Sequence, residues 1–143
     1  MNNNQINSLN ELIHSINRAL KNDDLEKRFK RLQGLTTIEI GIINLVSKNP
    51  DIILKEIGKI TKTPKSTLTS ALNRLEKKNY IKRKISKTDK RSFSLYLTEE
   101  GKLVQEEHLA LEHTLSSKVL NALENDEERN TLIDLLKKIA DNV

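Results

Sequence analysis

Two short stretches of this chain alternate apolar and polar residues, and they flank a single charged turn. Residues 93–98, FSLYLT, set Phe93, Leu95 and Leu97 on one face and Ser94, Tyr96 and Thr98 on the other. A period of two is the mark of a strand. Residues 80–85, YIKRKI, also read as a strand, though they alternate less clearly, and the turn between them holds four charged residues from Lys87 to Arg91. The pattern predicts one antiparallel hairpin, in a chain whose remaining segments read as helices.

The helices announce themselves by spacing and by caps. Residues 5–31 read as a helix, in which Ile6, Leu9, Ile13, Ile16 and Leu20 repeat at 3-4-3-4 spacing, the seam of one helix packed on another. So close to the N-terminus, that seam has little of its own domain to cover it and is expected to meet a partner chain. LEKRFKRLQG then closes at Gly34, a helix stop. Thr36 and Glu39 fit a capping box. Ile38, Ile42, Ile43, Leu45 and Val46 supply the buried face of the helix that follows, and Asn49-Pro50 ends it. Ile52 and Ile53 are extended. Leu54–Ile60 is a short helix with Leu54, Ile57 and Ile60 inward. Thr63 as N-cap and Pro64 as first helical residue then start a helix that runs to about Lys78. Beyond the hairpin, Thr98 caps a long helix to about Leu123, with Glu99 and Glu100 favourable in its first turn. Asp126 caps the last helix, where Leu132, Leu135, Leu136, Ile139 and Val143 form an apolar stripe.

Composition narrows the function. The chain has 143 residues and no cysteine, which excludes disulfides, thiolate zinc sites, iron–sulfur clusters and cysteine redox sensing. No apolar run approaches the roughly 20 residues that span a bilayer, and no signal peptide is visible in MNNNQINS. A cytoplasmic protein with no membrane partner is expected. The net charge of +5 is unevenly spread: Lys59–Ser92 holds 12 Lys and Arg against 2 acids, while the rest holds 13 bases and 18 acids. Basic charge gathered in one quarter of a chain is the footprint of a polyanion partner.

The segment 54–78 is a helix-turn-helix by spacing. Leu68, Ala71, Leu72 and Leu75 of its second helix fall at i, i+3, i+4 and i+7 and face the core. The opposite face carries Ser66, Ser70, Asn73 and Lys77, flanked by Lys65, Thr67, Thr69 and Arg74. Small hydroxyls let a helix sit deep in a groove, and Asn and Arg have the geometry to read adenine and guanine edges. The hairpin that follows adds Lys82, Arg83 and Lys84 on its first strand and Lys87, Lys90 and Arg91 at its tip. An arginine there suits the narrow minor groove, where the negative potential is enhanced. The fold class is therefore mainly α: a winged helix-turn-helix with a two-stranded β-hairpin wing and terminal dimerisation helices. A DNA-binding lobe is expected over residues 35–103, with a helical dimerisation region over residues 1–34 and 104–143, within a single compact subunit.

LTTIEIGIINLV (35–46), ILKEIGKITKTPKSTLTSALNRLEKKNYI (53–81) and DKRSFSLYLTEEG (89–101) together resemble the MarR family of bacterial transcription regulators. The last stretch follows that family's D-x-R-x-x-x-L-x-L-T-x-x-G pattern in order and spacing. The resemblance implies that Arg91 enters a minor groove and that Asp89 holds it in place. It implies a recognition helix at Pro64–Lys78. It also implies a two-fold dimer built by the terminal helices through Ile6, Leu9, Ile13, Ile16, Leu132, Leu136 and Ile139. A homodimer of this kind would bind double-stranded DNA at a pseudo-palindromic operator, as a repressor released by a small-molecule effector. No residue pattern marks an effector pocket.

Other readings stay open at this level. Some members of the family sense zinc, and His108 and His113 lie among Glu106, Glu107 and Glu112. They stand five residues apart, turned about 140° at about 100° per residue, so one site would not easily take both, though His14 could join either. No cofactor is expected otherwise. A winged helix can also serve protein contact without reading DNA. An enzyme is disfavoured: there is no Gly-rich phosphate loop, and no histidine base lies near the Ser and Thr residues of the second helix.

Overall fold

The computed structural model describes residues 2–21 and 23–143, without the side chains of residues 23, 24 and 26. The elements run α1 (Asn3–Leu20), α2 (Asp23–Arg28), a 3-10 turn (Lys30–Leu32), α3 (Thr37–Lys48), α4 (Leu54–Thr61), α5 (Lys65–Lys77), β1 (Ile81–Ile85), β2 (Phe93–Leu97), α6 (Glu99–Asn121) and α7 (Asp126–Asn142). The helix expected over residues 5–31 is interrupted: Lys21 takes an extended backbone, with ψ 125°, as it caps α1.

The chain divides into two compact units. One is Glu26–Ala110, and the other joins Met1–Leu25 to Leu111–Val143. The winged lobe is thus larger than residues 35–103, taking in 26–34 and 104–110. Burial explains the difference. Phe29, Leu32, Val104 and Gln105 all belong to the buried interior. The Arg31 amide and Nη1 also donate to the Glu107 carboxylate at 2.9 and 2.8 Å, tying the 3-10 turn to α6.

In the lobe, the Thr36 hydroxyl accepts from the Glu39 amide at 3.2 Å while the Glu39 carboxylate accepts from the Thr36 amide at 3.0 Å, the reciprocal cap its spacing predicts. Ile42, Ile43 and Val46 of α3, Ile57 of α4, and Leu68, Ala71, Leu72 and Leu75 of α5 interlock with Ile81 and Leu95 of the hairpin to make the core. Each of these Ile, Leu and Val side chains contributes roughly 1.5–3 kcal/mol on burial. Ile38 and Ile60 were expected inside but are 36% and 57% exposed.

The α4–α5 turn is tight because Lys62 adopts a left-handed backbone, φ 51°. Pro64, not Thr63, occupies the cap position of α5, with ψ 144° and its carbonyl accepting the first helical bond from Leu68 at 3.1 Å. The Thr63 hydroxyl turns back to the Thr61 carbonyl at 3.3 Å.

β1 and β2 pair antiparallel with Ile81 opposite Leu97 and Ile85 opposite Phe93. The shared face of Phe93, Leu95 and Leu97 is only partly covered: Leu95 is buried, whereas Phe93 projects beyond the lobe at 55% exposure. At the foot of the wing the Thr98 hydroxyl donates to the Asn79 carbonyl at 2.6 Å and accepts from the Gly101 amide at 3.0 Å. Gly101 is there for space: a Cβ on it would overlap the Tyr80 carbonyl oxygen.

The second unit is helical. Asn2 caps α1 with a box closed by Gln5, and Lys118 Nζ on α6 donates to the Ala19 carbonyl at 2.7 Å. Asn125, rather than Asp126, caps α7 by accepting from the Glu128 amide at 3.0 Å. Arg129 binds the Leu120 and Leu123 carbonyls, each at 3.0 Å, which fixes α7 to the end of α6. No described residue of α1 or α7 is buried. Ile6, Leu9, Ile13 and Ile16 of α1 and Leu136 and Ile139 of α7 are all exposed, and Leu132 is half-buried.

Candidate nucleic-acid interface

Helix α5 buries one face and offers the other. Its Leu68, Ala71, Leu72 and Leu75 point into the core, so Lys65, Ser66, Thr67, Ser70, Asn73, Arg74 and Lys77 lie exposed on the far side and Thr69 lies half-buried. Lys65, Ser66, Thr67, Ser70 and Lys77 make no side-chain hydrogen bond or ion pair within the chain among the described residues. Their donors are available to an external acceptor.

Three residues of this face are held from within, contrary to the free readers that the sequence suggests. The Thr69 hydroxyl donates to the Lys65 carbonyl at 2.8 Å. Asn73 Oδ1 accepts from Arg83 Nη2 on β1 at 3.2 Å, leaving its amide nitrogen outward. Arg74 Nε donates to Glu39 Oε1 on α3 at 2.5 Å. Burial alone would raise the Glu39 carboxyl, but the bonds from Arg74 and the Thr36 amide outweigh it and hold the group below its ordinary value. Arg83, placed on the strand by sequence and given no particular role, also donates its Nε and Nη2 to Glu76 Oε1 at 2.8 and 2.6 Å. That pairing locks α5 to the wing and neutralises the acid nearest the exposed face.

At the wing tip Lys87, Asp89, Lys90 and Arg91 are all exposed. Asp89 does not hold the Arg91 guanidinium. Its Oδ1 accepts from the Arg91 backbone amide at 3.0 Å and its Oδ2 from the Ser92 hydroxyl at 2.9 Å. The carboxylate closes an Asx turn on the backbone instead. The acid sets the main-chain direction at residue 91 and leaves the guanidinium outward.

Sequence reasoning missed Asp51. It stands between α3 and α4 with φ 59°. Its carboxylate accepts from Thr88 Oγ1 at 2.8 Å, Ser86 Oγ at 2.9 Å, and the Lys87 and Thr88 amides at 3.1 and 3.4 Å. Those bonds, the Thr88 hydroxyl first, keep the group well below the usual carboxylate range. The local motif Asn-Pro-Asp signals a turn, but no local signal links it to a hairpin more than thirty residues away. As for zinc, no three His, Asp or Glu side chains among the described residues form a group that could hold a metal ion. Nor is any helix among them long and apolar enough to cross a membrane.

The geometry is an outward polar helix face beside a cationic hairpin. A family model described as MarR family matches residues 33–92. The transcriptional repressor MdtR of Bacillus subtilis is 30% identical over 95 residues, 66% of this chain and 61% of that protein. The chain spans under two thirds of the length of two curated relatives that it matches, 64% and 61%. The crystal structure of YusO from Bacillus subtilis superposes with a TM-score of 0.73 at 27% identity, covering 99% of this chain and 95% of that one. FabT of Streptococcus pneumoniae, solved in complex with DNA, gives 0.71 at 26% identity, covering 95% and 98%. Sequence motif, fold and relatives agree: residues 33–92 match the MarR family, and the chain is similar to its members in sequence and fold.

Proposed function

We propose that this protein is a sequence-specific, double-stranded DNA-binding transcription regulator without enzymatic activity, acting in the cytoplasm as a homodimeric repressor. Helix α5 enters the major groove with Lys65, Ser66, Thr67, Ser70 and Lys77 leading. Asn73 and Arg74 present their remaining donors from fixed positions, and Thr69 supports the first turn. The wing follows the backbone with Lys87 and Lys90 and sends Arg91 into the minor groove.

The observation that carries this reading is the run of unpartnered donors along one face of α5, set beside a wing whose basic tip is equally free. An ordinary solvated face would not segregate its cations and hydroxyls in this way while pairing its acids inward. The homodimer is supported by the uncovered apolar residues of α1 and α7, which a second copy would bury, presenting two recognition helices to two half-sites about one turn of DNA apart. Release by a small molecule is supported only by the resemblance to that family.

A gel-shift competition tests the reading. The full chain should retard a duplex drawn from the DNA upstream of its own coding sequence in the presence of excess random duplex at physiological salt. Equal competition by both duplexes would leave only non-specific charge binding, and absence of any shift would favour a winged helix used for protein contact.

A further inference from the structure

Among the described residues, no side chain outside the hairpin bonds to residues 86–91 except that of Asp51. Its two carboxylate oxygens take four donors from Ser86, Lys87 and Thr88, about as many as a carboxylate can accept. Those three residues lead directly into the turn that Asp89 closes around Arg91. The loop bearing Asp51 also grips the next strand: the Leu95 amide donates to the Ile52 carbonyl at 3.0 Å, and Ile53 bridges Ser94. From Ile53 the chain enters α4, which packs on α5. A continuous path therefore runs from the exposed helix face through α4 to the wing tip. Asp51 holds a left-handed backbone, a conformation that Asp tolerates better than most side chains.

We propose that Asp51 is the positioning residue of the wing, whose carboxylate fixes where the hairpin turn, and Arg91 with it, stands relative to α5. The inference rests on the DNA-binding reading above. It has a sign that charge counting does not share. An acid beside a polyanion should repel it, so deleting Asp51 should strengthen binding by long-range electrostatics. If Asp51 positions the wing, deletion weakens binding, because the arginine no longer arrives in register with the helix.

The experiment uses the full-length protein and fluorescence anisotropy on short duplexes tiled across the DNA upstream of its coding sequence, with random duplex as reference. Asp51→Gly keeps the left-handed backbone open and removes the carboxylate. Asp51→Asn keeps one acceptor oxygen and the same backbone tolerance. Arg91→Ala and the double variant Asp51→Gly/Arg91→Ala complete a cycle. Asp51→Gly should lose about tenfold or more in affinity for the preferred duplex, with little change on random duplex. Asp51→Asn should fall between it and wild type. Arg91→Ala should cost much less in the Asp51→Gly background, since the arginine is already misplaced there. A loss in Asp51→Gly that adds fully to that of Arg91→Ala overturns the inference, as does binding equal to or tighter than wild type. Should Asp51→Gly melt below the assay temperature, Asp51→Asn decides by the same cycle. If wild type prefers no tile over random duplex, the DNA-binding reading falls and takes this one with it. If wild type discriminates and Asp51→Gly matches it, only the positioning role falls.

Discussion

Arg74 Nε on the exposed side of α5 meets Glu39 Oε1 at 2.5 Å, and the Glu39 side chain is only 1% exposed. One carboxylate therefore does two jobs. Its second oxygen caps α3 at Thr36, and its first fixes the arginine's stem while half of that side chain stays in solvent. The arginine keeps its outer nitrogens for a ligand and loses most of its freedom to wander, which lowers the entropy cost of any contact it makes.

Replacing Glu39 by Gln removes the charge from this joint. Urea unfolding near neutral pH should show a loss of roughly 1–3 kcal/mol. The pH dependence follows from the depressed carboxyl. The folded group stays ionised below its ordinary value of 4.5, so the stability it adds is fully present above that pH and is lost as pH falls through the folded value. The gap between wild type and Glu39→Gln should therefore narrow on acidification. A gap that widens would mean the carboxyl is protonated in the folded state.

Asp89→Ala should weaken operator binding by about three- to tenfold although it removes a negative charge, because the Asx turn that aims residue 91 is lost. Asp89→Asn should retain more affinity, since its amide oxygen still accepts from the Arg91 backbone. Anisotropy titrations that show tighter binding for Asp89→Ala would refute the orienting role.

Lys77 and Ser70 should separate by salt dependence. Lys77→Ala should lower affinity for all duplexes and reduce the log–log salt slope of the dimer by about 1.8, the signature of two lost phosphate contacts, one per subunit. Ser70→Ala should leave that slope alone and relax discrimination between operator and mismatched duplexes. Identical slopes for Lys77→Ala and wild type would remove Lys77 from the interface.

The paired substitution Ile13→Glu with Leu136→Glu places charge on both exposed apolar faces. Light scattering after size exclusion should show a monomer. Operator affinity should drop by about two orders of magnitude, as two linked half-site contacts become one, while the lobe's own core, which lies between Phe29 and Val104, still melts cooperatively. A variant that remains dimeric would move the interface elsewhere.

Gly101→Ala tests the foot of the wing. Its new Cβ would overlap the Tyr80 carbonyl, and backbone on both sides gives little. Thermal melting should report a destabilisation of about 1–3 kcal/mol. An unchanged melting point would show that α6 can shift away from the turn at Tyr80 without cost.

Much of the lobe was legible in the residues because the forces involved act over a few positions. The Thr36 and Glu39 cap spans three residues, the buried face of α5 follows from helical spacing, and alternation placed the strands of the hairpin. The D-x-R turn was likewise visible, but not which atoms Asp89 uses: its carboxylate accepts from the Arg91 amide and the Ser92 hydroxyl. Two residues of separation favour a carboxylate-to-amide bond over the side-chain ion pair, and only coordinates distinguish the two.

What the sequence determined by itself is the set of elements, the polar face of α5, the basic wing and the family motif that joins them. The tertiary structure decided which of those groups are free and which are spent. Arg74 is tied to Glu39 across 35 residues, and Ser86 to Asp51 across another 35. The lobe also recruits Phe29 and Val104 from beyond its expected limits. Such pairings have no local period or spacing. Their strength depends on burial and on where distant elements come to rest, and both exist only after the chain has packed.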